Sequence, residues 1–240
     1  MPDCSYRPGS ESRAPLGRLG LFIMALTLTV LTAGCAGLPQ GKSTTATSQT
    51  VSCERDVQPE AQVHLDLVDR LTTADKPYAA LAQLQAESMA SLRHWLRKGK
   101  LLASTGRMVE AETLFRDLVA RCDSGEARHG LGMILLKTGR IDEGLVALQR
   151  ARSQQPASAN IRNDYGYGLL LSGAYEHAAF ELRTALELAD GQGPVRQNLA
   201  AAYLLTDDHQ GLQLLKTQYG FGVDELAHAR RLAQQLRRQP

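Results

Sequence analysis

The sequence predicts an all-α fold built from a repeated helical unit, and two observations support this prediction. Aromatic residues make up only 5% of the 240-residue chain, with one Trp. This composition disfavours a β-sandwich and suits packed helices. Glycine recurs at intervals of 33 and then 34 residues in two sets, Gly99, Gly132 and Gly166 and then Gly106, Gly139 and Gly173. Such a period is typical of helical repeat proteins; a generic helical bundle is the alternative.

Apolar and small residues keep the same register around these glycines. A large apolar residue follows the second glycine of each unit by nine positions, at Phe115, Leu148 and Leu182. Between them stands a small residue, at Ala111, Gly144 and Ala178. Together with Trp95, these units resemble the tetratricopeptide repeat (TPR), which has two antiparallel helices per unit. The resemblance implies a TPR superhelix, an α-solenoid of antiparallel helix pairs, with the first glycine of each unit placed where two helices touch.

The pattern divides the chain into five segments. Residues 92–190 hold the three regular repeats. Residues 57–91 read as a degenerate first repeat, and residues 191–240 read as a degenerate repeat followed by a capping helix. Residues 35–56 are rich in Ser, Thr, Gln and Gly, which predicts a flexible tether. Residues 1–34 are predicted to be a lipoprotein signal peptide.

The N-terminal prediction depends on residues 31–44, LTAGCAGLPQGKST. Its GKST ending suggests a phosphate-binding loop, but that motif requires glycine where Ala36 stands, and no helical periodicity follows. The alternative fits better, because residues 1–18 carry three Arg and residues 19–34 carry no charge before Cys35. This arrangement is similar to the lipobox family, which implies that Cys35 is acylated, as with palmitate. A plain signal peptide or an N-terminal membrane anchor are the other possibilities.

Charge and residue spacing give no sign of catalysis. The chain has 27 Lys and Arg against 25 Asp and Glu, which does not favour a phosphate-rich partner. The six His are scattered, without an HxxxH pair or a Cys/His cluster that would suggest a metal site. We therefore predict a protein that is not an enzyme and has no cofactor, metal, nucleic acid or small-molecule substrate. Its expected activity is the binding of another protein.

The TPR resemblance also implies which residues would bind that partner. In such arrays the first helix of each unit lines a concave face through fixed positions. The corresponding groove residues here are Arg93, Leu96, Lys100, His129, Met133, Lys137, Asn160, Asn163, Tyr167, Leu171 and Gln197. Amides would clamp a peptide backbone, and Lys or Arg would meet a carboxylate. Leu96, Met133 and Leu171 suit packing against a neighbouring helix equally well.

A lipobox, a tether and several repeats together resemble two families. One is the TadD family, TPR lipoproteins of the Flp/Tad pilus machine, to which residues 163–188 are most similar. The other is the pilotins of type IV pili. Both imply an outer-membrane lipoprotein that faces the periplasm and aids pilus assembly by binding the secretin, and Ala36 in place of Asp implies outer-membrane sorting. The alternative is a lipoprotein scaffold that regulates a cell-wall synthesis or hydrolysis enzyme.

A disulfide is predicted from the cysteines that remain after processing. Only Cys53 and Cys122 are left as free thiols, and the periplasm is oxidising. We therefore expect a Cys53–Cys122 bond that fixes the end of the tether to the repeats. Two unpaired thiols or an intermolecular bridge through Cys53 are the alternatives.

Overall fold

The computed structural model describes residues 50–238 as a stack of α-helices. In this part of the chain every regular element is helical, which confirms the predicted all-α fold and the α-solenoid. The helices are α1 Pro59–Thr73, α2 Pro77–Gln85, α3 Leu92–Ser104, α4 Met108–Cys122, α5 Gly125–Lys137, α6 Ile141–Gln154, α7 Ala159–Leu171, α8 Tyr175–Leu188, α9 Val195–Leu205, α10 His209–Tyr219 and α11 Val223–Arg237. None of them is long and apolar enough to cross a membrane.

The helices pack in successive pairs. Each of the pairs α1/α2, α3/α4, α5/α6, α7/α8 and α9/α10 is in contact, and α11 packs against α9. The second helix of one pair also contacts the first helix of the next, as α4 does with α5 and α6 with α7. Contacts therefore join neighbours along the chain, which is the packing expected of a solenoid.

The second set of glycines forms the turns inside the three regular pairs. Gly106, Gly139 and Gly173 have φ angles of +81°, +79° and +80°. Glycine adopts this left-handed conformation without the steric cost that a Cβ brings. Asp75 and Asp207 take the corresponding place in the first and last pairs, with φ angles of 55° and 53°. The less regular units therefore keep the turn although they lack the glycine, because Asp tolerates the left-handed region better than most residues.

The first set of glycines lies where the two helices of a pair touch. A Cβ added to Gly132 would lie 2.6 Å from Cγ of Leu148, and one added to Gly166 would lie 2.6 Å from Cγ of Leu182. Leu148 and Leu182 are fully buried. The large residue and the glycine of each unit are thus complementary in size, as the TPR resemblance implied.

An extended segment, residues 50–58, precedes α1, and we call it the N-terminal strap. Cys53 is bonded to Cys122 at the end of α4, with a Cα separation of 5.3 Å. The backbone N–H of Leu92 donates a hydrogen bond of 2.8 Å to the carbonyl oxygen of Glu54. Val51 and Val57 pack against the buried cluster of the N-terminal half. Residues 50–56, which the composition assigns to a flexible tether, are therefore held against the repeats.

Cys35 and the predicted signal peptide lie outside the described residues.

Candidate functional site

The first helices of the pairs lie next to one another and form what we call the first-helix face. On this face α3 contacts α5, α5 contacts α7 and α7 contacts α9. A cleft of about 640 Å³ opens between α1, α3 and the N-terminal strap. Its apolar lining consists of the half-buried Leu96 with the buried Leu92 and Leu101 beneath the surface. Its charged groups are Arg55, Asp69, Arg93, Arg97, Lys100 and Glu126. We call this the basic cleft.

The charges of the basic cleft do not cancel. Four cations against two carboxylates give 4 − 2 = +2. Arg97 is paired with Asp69 through two hydrogen bonds of 2.8 and 2.5 Å, so these two charges neutralise each other. Arg93 donates to the neutral Oε1 of Gln62 at 2.8 Å, which leaves its charge uncompensated by that bond. The cleft therefore offers positive charge beside an apolar wall.

Glu126 contributes one of the two negative charges. Burial favours the neutral acid, but hydrogen bonds from the backbone N–H of Glu126 and from the side chains of Gln155 and Ser124 outweigh this effect, with a smaller contribution from the charge of Arg55. Together they hold the pKa of the Glu126 carboxyl below its ordinary value. Glu126 is thus ionised at neutral pH, and it faces the same cleft as Arg55.

A smaller pocket of about 250 Å³ adjoins the basic cleft further along the first-helix face. Lys100 and Ser104 line both cavities. Met133 of α5 supplies apolar surface, with the buried Ile134 behind it, and His129 supplies a polar group. The two cavities together extend from α1 to α7, so an extended segment of a partner would contact several repeats at once.

Polar side chains bond to one another across the later first helices. Nε2 of His129 lies 2.6 Å from Oδ2 of Asp164, which joins α5 to α7. Nδ2 of Asn163 donates to Oδ1 of Asp164 at 3.0 Å, and Nδ2 of Asn198 donates to Oδ1 of Asn163 at 3.0 Å. We call this chain of bonds the polar ladder. Asn163 has therefore used part of the hydrogen-bonding capacity that a backbone clamp would need.

The predicted groove residues do not all meet in one place. Arg93, Leu96 and Lys100 line the basic cleft, and His129, Met133 and Lys137 line the adjoining pocket. Asn163 is in the polar ladder.

The other four lie apart from both cavities. Tyr167 and Leu171 pack against the buried cluster of the C-terminal half. Asn160 is exposed in the first turn of α7, and Gln197 is half-buried on α9. The structure thus favours the first two regular repeats as the binding region.

The repeat register does not predict several residues of the site. Arg97 and Asp164 lie next to predicted positions but were not among them. Arg55 belongs to no repeat, so no alignment of repeats points to it. The one signal in the sequence is Cys53, two residues away, because a bond to Cys122 carries the strap onto the array.

Two groups that resemble catalytic residues are buried and bonded to neighbouring side chains. The buried carboxylate of Glu181 accepts from Arg162 at 2.6 Å and lies 3.2 Å from Arg152. Nδ1 of the buried His94 lies 2.7 Å from Oγ of Ser91, and burial lowers the pKa of His94. Within residues 50–238 no three His, Cys, Asp or Glu side chains are placed to hold a metal ion.

The stacked helix pairs and their clefts define a helical-repeat protein of the type that binds other proteins. No protein-family model matches the chain. It is 30% identical over 185 residues to a TPR repeat-containing protein of Pseudomonas aeruginosa, a match that covers 77% of this chain and 73% of that protein. The chain therefore belongs to the TPR repeat-containing proteins, which confirms the resemblance at this level.

Solved structures show the same fold. A thermophilic TPR protein of Thermus thermophilus has a TM-score of 0.59 and 19% identity, with 73% of this chain and 97% of that chain covered. MamA from Desulfovibrio magneticus has a TM-score of 0.50 and 19% identity, with 75% and 98% covered. At this level of identity the likeness concerns the fold.

Proposed function

We propose that this protein is a non-enzymatic scaffold of Flp/Tad pilus assembly that binds the outer-membrane secretin through its first-helix face. The observation that carries the binding function is the pair of adjoining cavities between α1 and α7, which combines apolar side chains with uncompensated cations. A segment of a partner protein can present groups that are complementary to both the apolar side chains and the cations. The TPR fold supports protein binding as the activity.

The pilus assignment rests on the sequence. Residues 163–188 resemble the TadD family, and residues 19–35 resemble a lipoprotein signal with its acylated cysteine. A lipid anchor on Cys35 would place the repeats at the periplasmic side of the outer membrane, where an incoming secretin subunit is first available. The strap would then follow the tether directly, so the basic cleft would be the part of the array nearest the membrane along the chain.

Co-purification with the secretin tests this function. The full-length lipoprotein and the Tad secretin are expressed together, extracted in a non-ionic detergent and captured through the lipoprotein. We expect the wild type to retain the secretin. Arg93→Ala combined with Lys100→Ala should lower the retained amount at least about tenfold, because charge-assisted bonds are lost from the cleft. Arg150→Ala is the matched control, since Arg150 is exposed on α6 and lines neither cavity.

Two results would count against the proposal. Equal retention of the secretin by the cleft variant and the control would move the binding surface away from the first-helix face. Capture of a cell-wall hydrolase or synthase instead of the secretin would favour the regulatory alternative.

A further inference from the structure

Arg55 is the one cation of the basic cleft that the repeats do not supply. It lies on the N-terminal strap, between residues that are fixed on both sides. We propose that the basic cleft selects a partner segment in which acidic and apolar side chains alternate, and that Arg55, positioned by the Cys53–Cys122 disulfide, is a specificity-determining residue for that segment. This inference rests on the proposed binding function and names the chemistry of the segment bound.

The strap holds Arg55 at three points. The disulfide fixes Cys53 to the end of α4, with 5.3 Å between the Cα atoms. The next residue, Glu54, accepts the hydrogen bond of 2.8 Å from Leu92 N–H, and Leu92 itself lines the cleft. Val57 packs against the buried cluster on the other side of Arg55. The backbone of Arg55 is therefore placed at the cleft before any partner arrives, which lowers the entropic cost of using its side chain.

The charge of the cleft specifies an acidic ligand. Arg97 and Asp69 form an ion pair through two hydrogen bonds, so together they add little to the net charge of the cleft. Arg55, Arg93 and Lys100 then face the single carboxylate of Glu126, which gives the net charge of 3 − 1 = +2. A guanidinium binds a carboxylate through two parallel hydrogen bonds, and both arginines have donors that can be used in this way.

The apolar wall specifies how the acidic groups are spaced. Leu96 is half-buried and lines the cleft, whereas Leu92 and Leu101 are buried with exposed fractions of 4% and 2%, so the apolar surface offered to a ligand centres on Leu96. Successive side chains of an extended peptide point to opposite sides. A peptide with alternating residues can therefore place a leucine-like side chain against Leu96 and keep its carboxylates free to meet Arg55, Arg93 and Lys100. No lining residue of the cleft is aromatic, so it has no platform on which a nucleic-acid base would stack.

The test uses defined peptides in place of the unidentified segment. A fluorescein-labelled peptide of about ten residues, with alternating Leu and Asp, is titrated with the full-length protein in non-ionic micelles, and fluorescence anisotropy is measured. Peptides with Asn in place of Asp, and with Ser in place of Leu, are the comparisons. We expect the Leu–Asp peptide to bind at least about tenfold more tightly than either. Equal affinities would overturn the proposed chemistry.

The role of Arg55 is tested by substitution. Arg55→Ala should lower the affinity for the Leu–Asp peptide about three- to tenfold, as expected for one lost charge-assisted bond at an exposed site. It should leave the Leu–Asn peptide nearly unchanged. Arg150→Ala, which removes the same charge from a surface outside the cleft, should change neither. Unchanged binding of the Leu–Asp peptide by Arg55→Ala would overturn the role of Arg55.

The role of the disulfide is tested by a double-mutant cycle. Replacement of both cysteines by serine should lower the affinity for the Leu–Asp peptide about as much as Arg55→Ala does, because the strap no longer fixes the side chain of Arg55. In that background, Arg55→Ala should have little further effect. A full, additive effect of Arg55→Ala without the disulfide would show that the bond does not position Arg55.

A folding control is needed because a variant could lose peptide binding either through misplacement of Arg55 or through unfolding. The melting temperature of each variant is measured, and each is used only below it. These results are also separable from the secretin experiment. Loss of peptide discrimination with normal secretin capture would overturn the chemistry alone, and discrimination without secretin capture would overturn the pilus function alone.

Discussion

At the scale of single residues, the contact between Gly166 and Leu182 decides how closely α7 and α8 pack. Any side chain at Gly166 begins 2.6 Å from Cγ of Leu182, which is itself fully buried. Gly166→Leu should therefore lower the free energy of unfolding by roughly 1–3 kcal/mol or more, since overpacking forces the two backbones apart. Urea denaturation monitored by circular dichroism measures this loss.

Gln149→Leu provides the control for Gly166→Leu. It adds a leucine at an exposed position of α6, where no neighbouring helix is displaced. Its unfolding midpoint should stay close to that of the wild type. If Gly166→Leu also unfolds at the wild-type midpoint, the close packing of α7 on α8 described above is wrong.

At the scale of elements, the disulfide joins the strap to α4 and closes a loop with a sequence separation of 69 residues. The chain-entropy account gives a stabilisation of roughly 4 kcal/mol for a loop of this length, as an upper figure. Cys53→Ser combined with Cys122→Ser should thus lower stability by up to about 4 kcal/mol, with the effect concentrated in α1 and α2. Hydrogen exchange of these helices measures it.

The bond itself has a direct chemical test. In non-reducing mass spectrometry, the protein isolated without reductant should yield a linked peptide pair that contains Cys53 and Cys122, and neither thiol should react with an alkylating reagent before reduction. Alkylation of both cysteines in the native protein would contradict the bond.

The sequence predicts the helix pairs but only part of the basic cleft. The helix pairs were predictable because turn glycines and the large residues that cover the first glycines recur at a fixed period, and each satisfies a local steric condition. The basic cleft was predictable only in part. Arg93 and Lys100 follow from repeat register, whereas Arg55 is brought in by a covalent bond between distant parts of the chain. The engagement of Asn163 with Asn198 depends on side-chain directions across two helices, which periodicity does not specify.

At the scale of the whole molecule, the proposed anchor determines where the array works. Cys35→Ser removes the sulfur that would carry the lipid, so this variant should carry no acyl chains and should leave the outer-membrane fraction. Two or more acyl chains hold a protein on a membrane stably, at about 0.8 kcal/mol per buried CH₂. Cell fractionation and intact-mass measurement of the lipid test this prediction, with Cys4→Ser as the control. A variant that still sediments with outer membranes and still carries lipid would refute it.

The disulfide also determines how mechanical load would pass through the protein. A pull on the chain before Cys53 reaches Cys122 through the covalent bond and enters the array at the end of α4. The loop between the two cysteines, which contains the helices from α1 to α4, lies off this path and bears no tension from such a pull. The wall of the basic cleft belongs largely to that loop. A pull on the chain before Cys53 that is resisted by α5 and the later helices would therefore bypass the basic cleft, whose geometry would stay relaxed.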